Sequence, residues 1–268
     1  MLINKGQISN FLRSVRLIYW TDWLRFLLQK WRNRRINRAF KEKHPEVQLP
    51  PDYLMYESFQ LNYEKYYTES QASAQWLVNH LKPYMNLSSA RILDWGCGPG
   101  RIIRHLPSLL GARGEYYGTD YNAKSIAWCK ANLAHIQFSH NGLAANLSYQ
   151  DNFFDVIYGI SIFTHLSKEL HWNWIAELQR ILRKDGLLFL TTQGDNFKPK
   201  LSPQELEQYQ KGQLVIRGKV KEGHRTYSTF HPKDFMLHLF KDLEIVAHIT
   251  PPPEPNKWLP QDIWILRK

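Results

Sequence analysis

The chain has 268 residues, 43% of them hydrophobic and 14% aromatic, which is enough for one large α/β domain with appendages and too much for a disordered chain. Two cysteines, Cys97 and Cys129, exclude a disulfide framework and a four-cysteine zinc site, and no stretch approaches the roughly 18–20 apolar residues that span a bilayer. The net charge of +11 is concentrated at one end: residues 1–43 hold eleven Lys and Arg against Asp22 and Glu42, a balance of +9 that leaves +2 for the other 225 residues.

Arg13 and Arg16 interrupt the place where a secretion signal keeps its apolar core, and no small-residue cleavage site follows, so a cytoplasmic protein is expected. Residues 8–40 set Phe11, Val15, Ile18, Tyr19, Leu27 and Trp31 among basic residues without a Pro or Gly, which predicts one or two amphipathic helices. His44-Pro45 and Leu49-Pro50-Pro51 end that run in an extended connector. Residues 56–85 read as helix again, up to Pro83. The expected organisation is a basic arm and connector over 1–55, then one domain over 56–268.

From residue 90 the pattern alternates. ARILDWG (90–96) is a short buried strand and GRIIRHLPSLL a helix; EYYGTDY (115–121) is strand two, NAKSIAWCKANL a helix and HIQFSH (135–140) strand three. FDVIYGISIF (154–163) is apolar almost throughout, as in a central parallel strand covered on both faces. LSKELHWNWIAELQRILRKDG reads as a helix capped by Ser167 and stopped by Gly186, followed by strand five, GLLFLTTQG (186–194). LEIVAHIT (243–250) and DIWILRK (262–268) add two strands through PPPEPNK. Between strand five and a helix near 232–241 lies an insertion, 195–231, expected to hold a short helix at 203–211 and a hairpin, and to serve as a lid. The alternation predicts a Rossmann-like, doubly wound sheet of about seven strands.

The first strand ends in DWGCGPGR. Glycines at Gly96, Gly98 and Gly100 let a ligand approach the backbone where a Cβ would block it. A dinucleotide fingerprint is G-x-G-x-x-G, but its third glycine would fall on Arg101, and Pro99 stiffens the turn. That weighs against an NAD(P)-dependent oxidoreductase, one alternative; a non-catalytic cofactor-binding module is the other.

With Asp94 two residues before Gly96, the turn resembles motif I of the class I S-adenosylmethionine-dependent methyltransferases. GTDYN (118–122), HNG (140–142), DNFFDVIYGISIFTHL (151–166), RILRKDGLLFLTT and the closing QDIWILRK are similar to that family's later blocks. The resemblance implies S-adenosyl-L-methionine as cofactor and an antiparallel C-terminal strand. It implies that Asp94 and the Gly96–Gly100 turn, Cys97 included, bracket the methionine moiety. Asp120 beside Tyr121 would hold the ribose diol, a task suited to a bidentate carboxylate. Asn141 and Gly142 would read the adenine, and Ile160 or Ser161 would line the donor pocket through backbone groups.

An oxygen nucleophile needs a base near the operating pH, which makes histidine the first candidate. His165 follows strand four, with Glu169 one helical turn on; His231 and Tyr227 end the insertion. Tyr63, Tyr66 and Tyr67 are candidates to close over the methionine end, where an aromatic face suits a sulfonium. No N/D-P-P-Y/F element follows strand four, no cysteine pair suits a covalent adduct, and Asp151, Asp155 and Asp195 are scattered, so no metal is expected. What remains is metal-independent transfer to an oxygen of a small molecule or sugar. The C-terminal layout looks like that of methyltransferases associated with glycan or natural-product assembly.

Three readings compete for the basic arm. Trp20, Trp23 and Trp31 among arginines suit an anionic membrane surface, which would make the protein peripheral to the membrane. A nucleic-acid backbone is the weakest of the three. The third packs the apolar stripe on the body or on a twin subunit, a homodimer.

Overall fold

A computed structural model describes residues 17–255 and 257–268. The expectations for Phe11, Val15 and the basic residues Lys5, Arg13 and Arg16 lie outside that range. The chain divides into two compact units, Trp20–Gly142 and Leu143–Lys268, the latter with the described residues up to Tyr19.

In the first unit, α1 (Ile18–Lys43) is one unbroken helix. Its inward positions recur at Asp22, Phe26, Gln29, Asn33, Asn37 and Phe40, a helical stripe that is mostly polar. Hydrogen bonds explain this choice: Asn37 donates to the Leu61 carbonyl at 3.0 Å and accepts from the Tyr63 N–H at 3.0 Å, and the Tyr56 hydroxyl donates to Asp22 at 2.8 Å. Leu27 and Trp31, part of the apolar stripe read in the sequence, are exposed. The helix predicted over 56–85 is broken into α2 (Asp52–Ser58) and α3 (Tyr63–Leu81). The break falls at Asn62, whose extended backbone and side chain cap α3 by accepting the Lys65 N–H at 3.0 Å.

Strands β1 (Arg91–Trp95), β2 (Glu115–Asp120) and β3 (Gln137–His140) then pair in parallel, with Asp94 opposite Gly118 and Asp120 opposite His140. Between β1 and β2 the expected helix is reduced to a 3-10 turn, Ile103–His105, and the short α4 (Leu106–Leu110), where Pro107 supplies no N–H. Helix α5 (Ala123–Asn132) starts on Asn122, which accepts the Lys124 and Ser125 N–H groups.

The second unit opens with β4 (Phe154–Gly159), which ends earlier than predicted because Ser161 turns to φ +66°. Helix α6 (Lys168–Ile181) is capped by Ser167 as expected. It ends at Ile181 rather than Gly186, because Leu182 already pairs with Phe154 at the start of β5 (Leu182–Thr192). The register then shifts before Leu187 pairs with Val156; Asp185 sits in the bulge at φ +60°, and Arg183 pairs with Asp155 at 2.6 Å. Leu187–Leu190 are fully buried, at roughly 1.5–3 kcal/mol per large apolar side chain. The insertion holds α7 (Pro203–Gln210), with a Ser202–Glu205 capping box, and a hairpin of β6 (Val215–Arg217) and β7 (Ser228–Phe230). After α8 (Lys233–Leu239) come β8 (Glu244–Ile249) and β9 (Asp262–Arg267), and β9 runs antiparallel to both β5 and β8. The seven long strands form one sheet in the order β3-β2-β1-β4-β5-β9-β8, the Rossmann-like topology the sequence predicted, with its antiparallel C-terminal strand.

Candidate functional site

In the first unit, β1 delivers Asp94, buried, into a turn whose three glycines, Gly96, Gly98 and Gly100, have φ of +77°, +52° and +69°. Any other residue is strained in this region. At Gly100 space adds to the strain, since a Cβ would stand 2.7 Å from Leu133 Cδ1. The Gly96 and Cys97 N–H groups donate to the Thr119 carbonyl at 2.8 and 3.0 Å, fixing the turn to β2.

Asp120, buried at the end of β2, closes the cradle. Its Oδ2 accepts the Gly98 N–H at 2.8 Å and its Oδ1 the Asn122 N–H at 2.7 Å. Burial pushes its pKa up, and those two amide bonds only partly offset the push. Each oxygen keeps a further acceptor site. Tyr121 beside it is half-buried, its hydroxyl pushed up to about 12 by burial and then by the Asp120 and Glu57 carboxylates. The Asn141 N–H donates to the Asp120 carbonyl at 3.1 Å, while its Oδ1 accepts from the Thr119 hydroxyl at 2.6 Å and its Nδ2 donates to the Gly142 carbonyl at 2.6 Å. The predicted adenine-reading pair is thus anchored to the same strand end as Asp120.

Cys97 and Cys129 both direct their thiols at the Gly98 carbonyl, with Sγ to oxygen distances of 3.4 and 3.6 Å. Burial, then the Asp94 and Asp120 carboxylates, pushes Cys97 well up; burial, then Asp120, brings Cys129 to about 12. Both are inert thiols that pack the turn.

The three tyrosines part ways. The Tyr63 hydroxyl donates to Asp52 at 2.5 Å, and the Tyr67 ring meets His105 edge-on at 5.2 Å. Tyr66 is fully buried and its hydroxyl has no hydrogen-bond partner among the described residues. An orphaned buried hydroxyl costs about 1–3 kcal/mol. Burial pushes its pKa up, against the pull of the neighbouring Arg101 and Arg104 guanidinium groups. Arg101, read in the sequence only as a missing glycine, lies 4.5 Å over the Phe59 ring. A hydroxyl and two cations make a setting for an anion.

In the second unit, Ser161 at φ +66° is held in a ring of hydrogen bonds. Its N–H donates to Thr191 Oγ1 at 2.9 Å, the Thr191 hydroxyl to Gln261 Oε1 at 2.6 Å, and Gln261 Nε2 to Ser161 Oγ at 2.7 Å. Of the backbone groups through which Ile160 or Ser161 was expected to line the donor pocket, the Ser161 N–H is committed to Thr191. Ile160 is half-buried. Neither Thr191 nor Gln261 stood out in the sequence, because the ring closes over 100 residues of chain.

His165 lies in a short 3-10 turn, Phe163–His165, after β4. Its Nδ1 donates to the Tyr227 carbonyl at 2.8 Å, which leaves the Nε2 lone pair as acceptor. Burial lowers its pKa and keeps the ring neutral. His231 is 1% exposed and lies against His171. The His171 Nδ1 donates to the Ser167 carbonyl at 2.6 Å, so its Nε2 accepts the His231 Nε2–H at 3.0 Å. Burial lowers both, His171 to about 4. Glu169 is exposed and Tyr227 buried.

Residues 92–186 match a family model described as a methyltransferase domain. Residues 92–186 thus carry a methyltransferase domain, set in a Rossmann-like sheet. The chain is 27% identical over 191 residues to a malonyl-[acyl-carrier protein] O-methyltransferase from Bacillus cereus, covering 68% of this chain and 64% of that protein. It is 30% identical over 116 residues to an arsenite methyltransferase from Aquipseudomonas alcaligenes, covering 39% of this chain and 33% of the other. In both cases less than two thirds of the relative's length is spanned. Among solved structures, an S-adenosylmethionine-dependent methyltransferase from Methanosarcina mazei has a TM-score of 0.56 at 19% identity, over 70% of this chain and 96% of that one. Magnesium protoporphyrin IX methyltransferase from Synechocystis, solved with S-adenosylhomocysteine, has a TM-score of 0.52 at 15% identity, over 90% and 99%. These last two are likenesses of fold.

S-adenosylmethionine is the cofactor of this domain type. Three features of the chain fit it: a turn of three positive-φ glycines, the spare acceptor sites of Asp120, and the orphaned Tyr66 hydroxyl beside two guanidinium groups.

Proposed function

We propose that this chain transfers a methyl group from S-adenosylmethionine to an oxygen of a small-molecule or sugar acceptor, without a metal ion. The observation that carries this reading is the Asp120 carboxylate tied to the Gly98 N–H, which puts an anionic acceptor and the glycine turn side by side. That carboxylate suits the ribose diol of a nucleoside, and Arg101 in place of a third glycine weighs against a pyrophosphate. In this reading Asp120 holds the ribose hydroxyls, Asn141 and Gly142 the adenine, and Tyr66 with Arg101 the methionine carboxylate. When bound, the cofactor supplies a methyl carbon already activated by its sulfonium, so the protein's task is alignment and proton management.

His165 is the proposed base. Its tautomer leaves Nε2 open to the proton that an acceptor hydroxyl releases, whereas His231 is buried and gives its Nε2–H to His171. The likeness to a malonyl-[acyl-carrier protein] O-methyltransferase favours an oxygen acceptor. Among the described residues no three His, Cys, Asp or Glu side chains are grouped to hold a metal, and none is invoked.

Calorimetry tests the cofactor and a labelled methyl donor tests the reaction. The purified chain should bind S-adenosylhomocysteine and transfer label to a hydroxylated acceptor in a panel of small molecules and sugars. His165→Ala should keep the binding and lose turnover by about 10²–10⁴-fold. No heat with either form of the cofactor, together with tight NADH binding, overturns the assignment; unchanged turnover in His165→Ala removes that residue as base.

A further inference from the structure

From Trp20 to Trp31 the outward side of α1 is apolar where a surface helix is ordinarily polar. Trp20, Trp23, Leu24, Leu27 and Trp31, spaced i, i+3, i+4, i+7 and i+11, share one side of the helix and are all exposed, Trp20 at 65% and Trp31 at 62%. The opposite side is the polar stripe that Asn37 and Asp22 fasten to Leu61, Tyr63 and Tyr56, so the apolar side cannot be exchanged for it without breaking those bonds. Leucine and tryptophan presented together in this way mark a contact surface.

The charge around the stripe has one sign. Arg25, Arg32, Arg35 and Arg38 are exposed on the same helix, and the one acid before Glu42, Asp22, is half-buried against the Tyr56 hydroxyl. Towards the end of α1 a hollow of about 430 Å³ is lined by Lys30, Arg34, Arg38 and Lys41 against Asp52 and Glu42. Asp52 is already neutralised by Lys30 at 3.0 Å.

We infer that α1 lies in the plane of an anionic lipid bilayer. Trp20, Trp23, Leu24, Leu27 and Trp31 enter the boundary between head groups and acyl chains, and Arg34, Arg35, Arg38 and Lys41 meet lipid phosphates. The stripe from Trp20 to Trp31 is only about 17 Å long, and no helix among the described residues is long and apolar enough to cross a membrane, so the geometry is that of a helix lying on the surface. A second copy docked on this face would bring two rows of guanidinium groups together without carboxylates to pair them. An RNA backbone would satisfy the arginines and leave the leucines in water. An anionic bilayer satisfies both.

The test uses the full chain and co-sedimentation with phosphatidylcholine vesicles, with and without phosphatidylglycerol. Binding is expected with phosphatidylglycerol, weakened by added salt, and at least about tenfold weaker without it. Leu24→Gln with Leu27→Gln, and separately Arg35→Glu with Arg38→Glu, should each cut vesicle binding by about tenfold. These positions are exposed, and unchanged thermal unfolding and S-adenosylhomocysteine binding confirm that the variants fold. No sedimentation with either vesicle, sedimentation indifferent to both variants, or equal retention on RNA overturns the inference. So does a dimer in solution that the leucine pair dissolves.

Discussion

Replacing Asp120 by Asn separates the two tasks assigned to that carboxylate. Asn keeps one acceptor oxygen but turns an NH₂ group towards either the Gly98 or the Asn122 N–H, each of which now donates at 2.7–2.8 Å. One buried N–H loses its acceptor, which costs about 1–3 kcal/mol, and the charge-assisted character of the other bond is lost as well. Against this, the variant no longer buries a charge, a burden visible in the upward push on the Asp120 pKa. The unliganded protein should therefore lose only about 1–2 kcal/mol of stability. Cofactor affinity has no such offset. A charge-assisted pair of bonds to the ribose diol contributes about 1.5–3 kcal/mol, so the dissociation constant for S-adenosylhomocysteine should rise about ten- to hundredfold. Titration calorimetry on both proteins, with thermal unfolding as a control for folding, measures the two effects side by side. An Asp120→Asn variant that binds S-adenosylhomocysteine within about twofold of the parent refutes the reasoning and leaves the carboxylate as a clasp for the glycine turn alone.

Gly100→Ala should destabilise the fold by about 2–4 kcal/mol, roughly 1 from the positive φ and 1–3 from the Cβ forced against Leu133. Denaturant unfolding reads this directly, and a loss under about 0.5 kcal/mol contradicts the close packing described. Acid should also weaken the fold through His171, whose folded pKa of about 4 lies below its ordinary 6.5. A depressed histidine contributes stability that is fully present above about pH 6.5 and is lost as the pH falls towards 4, because only the unfolded chain takes up the proton. Near pH 5 the loss from this residue is about 2 kcal/mol, and His105, also held at about 4, acts in the same direction. Urea midpoints that do not move between about pH 7.5 and 5 would show that these rings are not buried neutral.

Much of the geometry of the candidate cofactor turn was legible in the chain because it is local. A glycine that needs positive φ, or an acid closing a strand, announces itself within a few residues, as at Gly96–Gly100 and Asp120. The features that escaped depend on partners far away in sequence. Arg101 acquires meaning only when α3 sets Tyr66, already a candidate, near it, and the Ser161–Thr191–Gln261 ring joins three separated segments. The helix boundary at Ile181 was misplaced because the RKDG bulge looks like a helix terminus until Leu182 is seen to pair with Phe154. The arm shows the same limit in reverse. Hydrophobicity alone assigns its apolar side to the interior, but Asn37 and Asp22 find bonding partners there and Trp20 and Leu27 do not.

Finally, the two sulfhydryls beneath the glycine turn give the chain a silent background for covalent probes. With Cys129 at about 12 and Cys97 also pushed well up, almost no thiolate is present near neutrality, and maleimide or haloacetamide reagents find nothing to attack in the native state. A single cysteine introduced on the surface would therefore take a spin label or fluorophore alone, without first removing the natural pair.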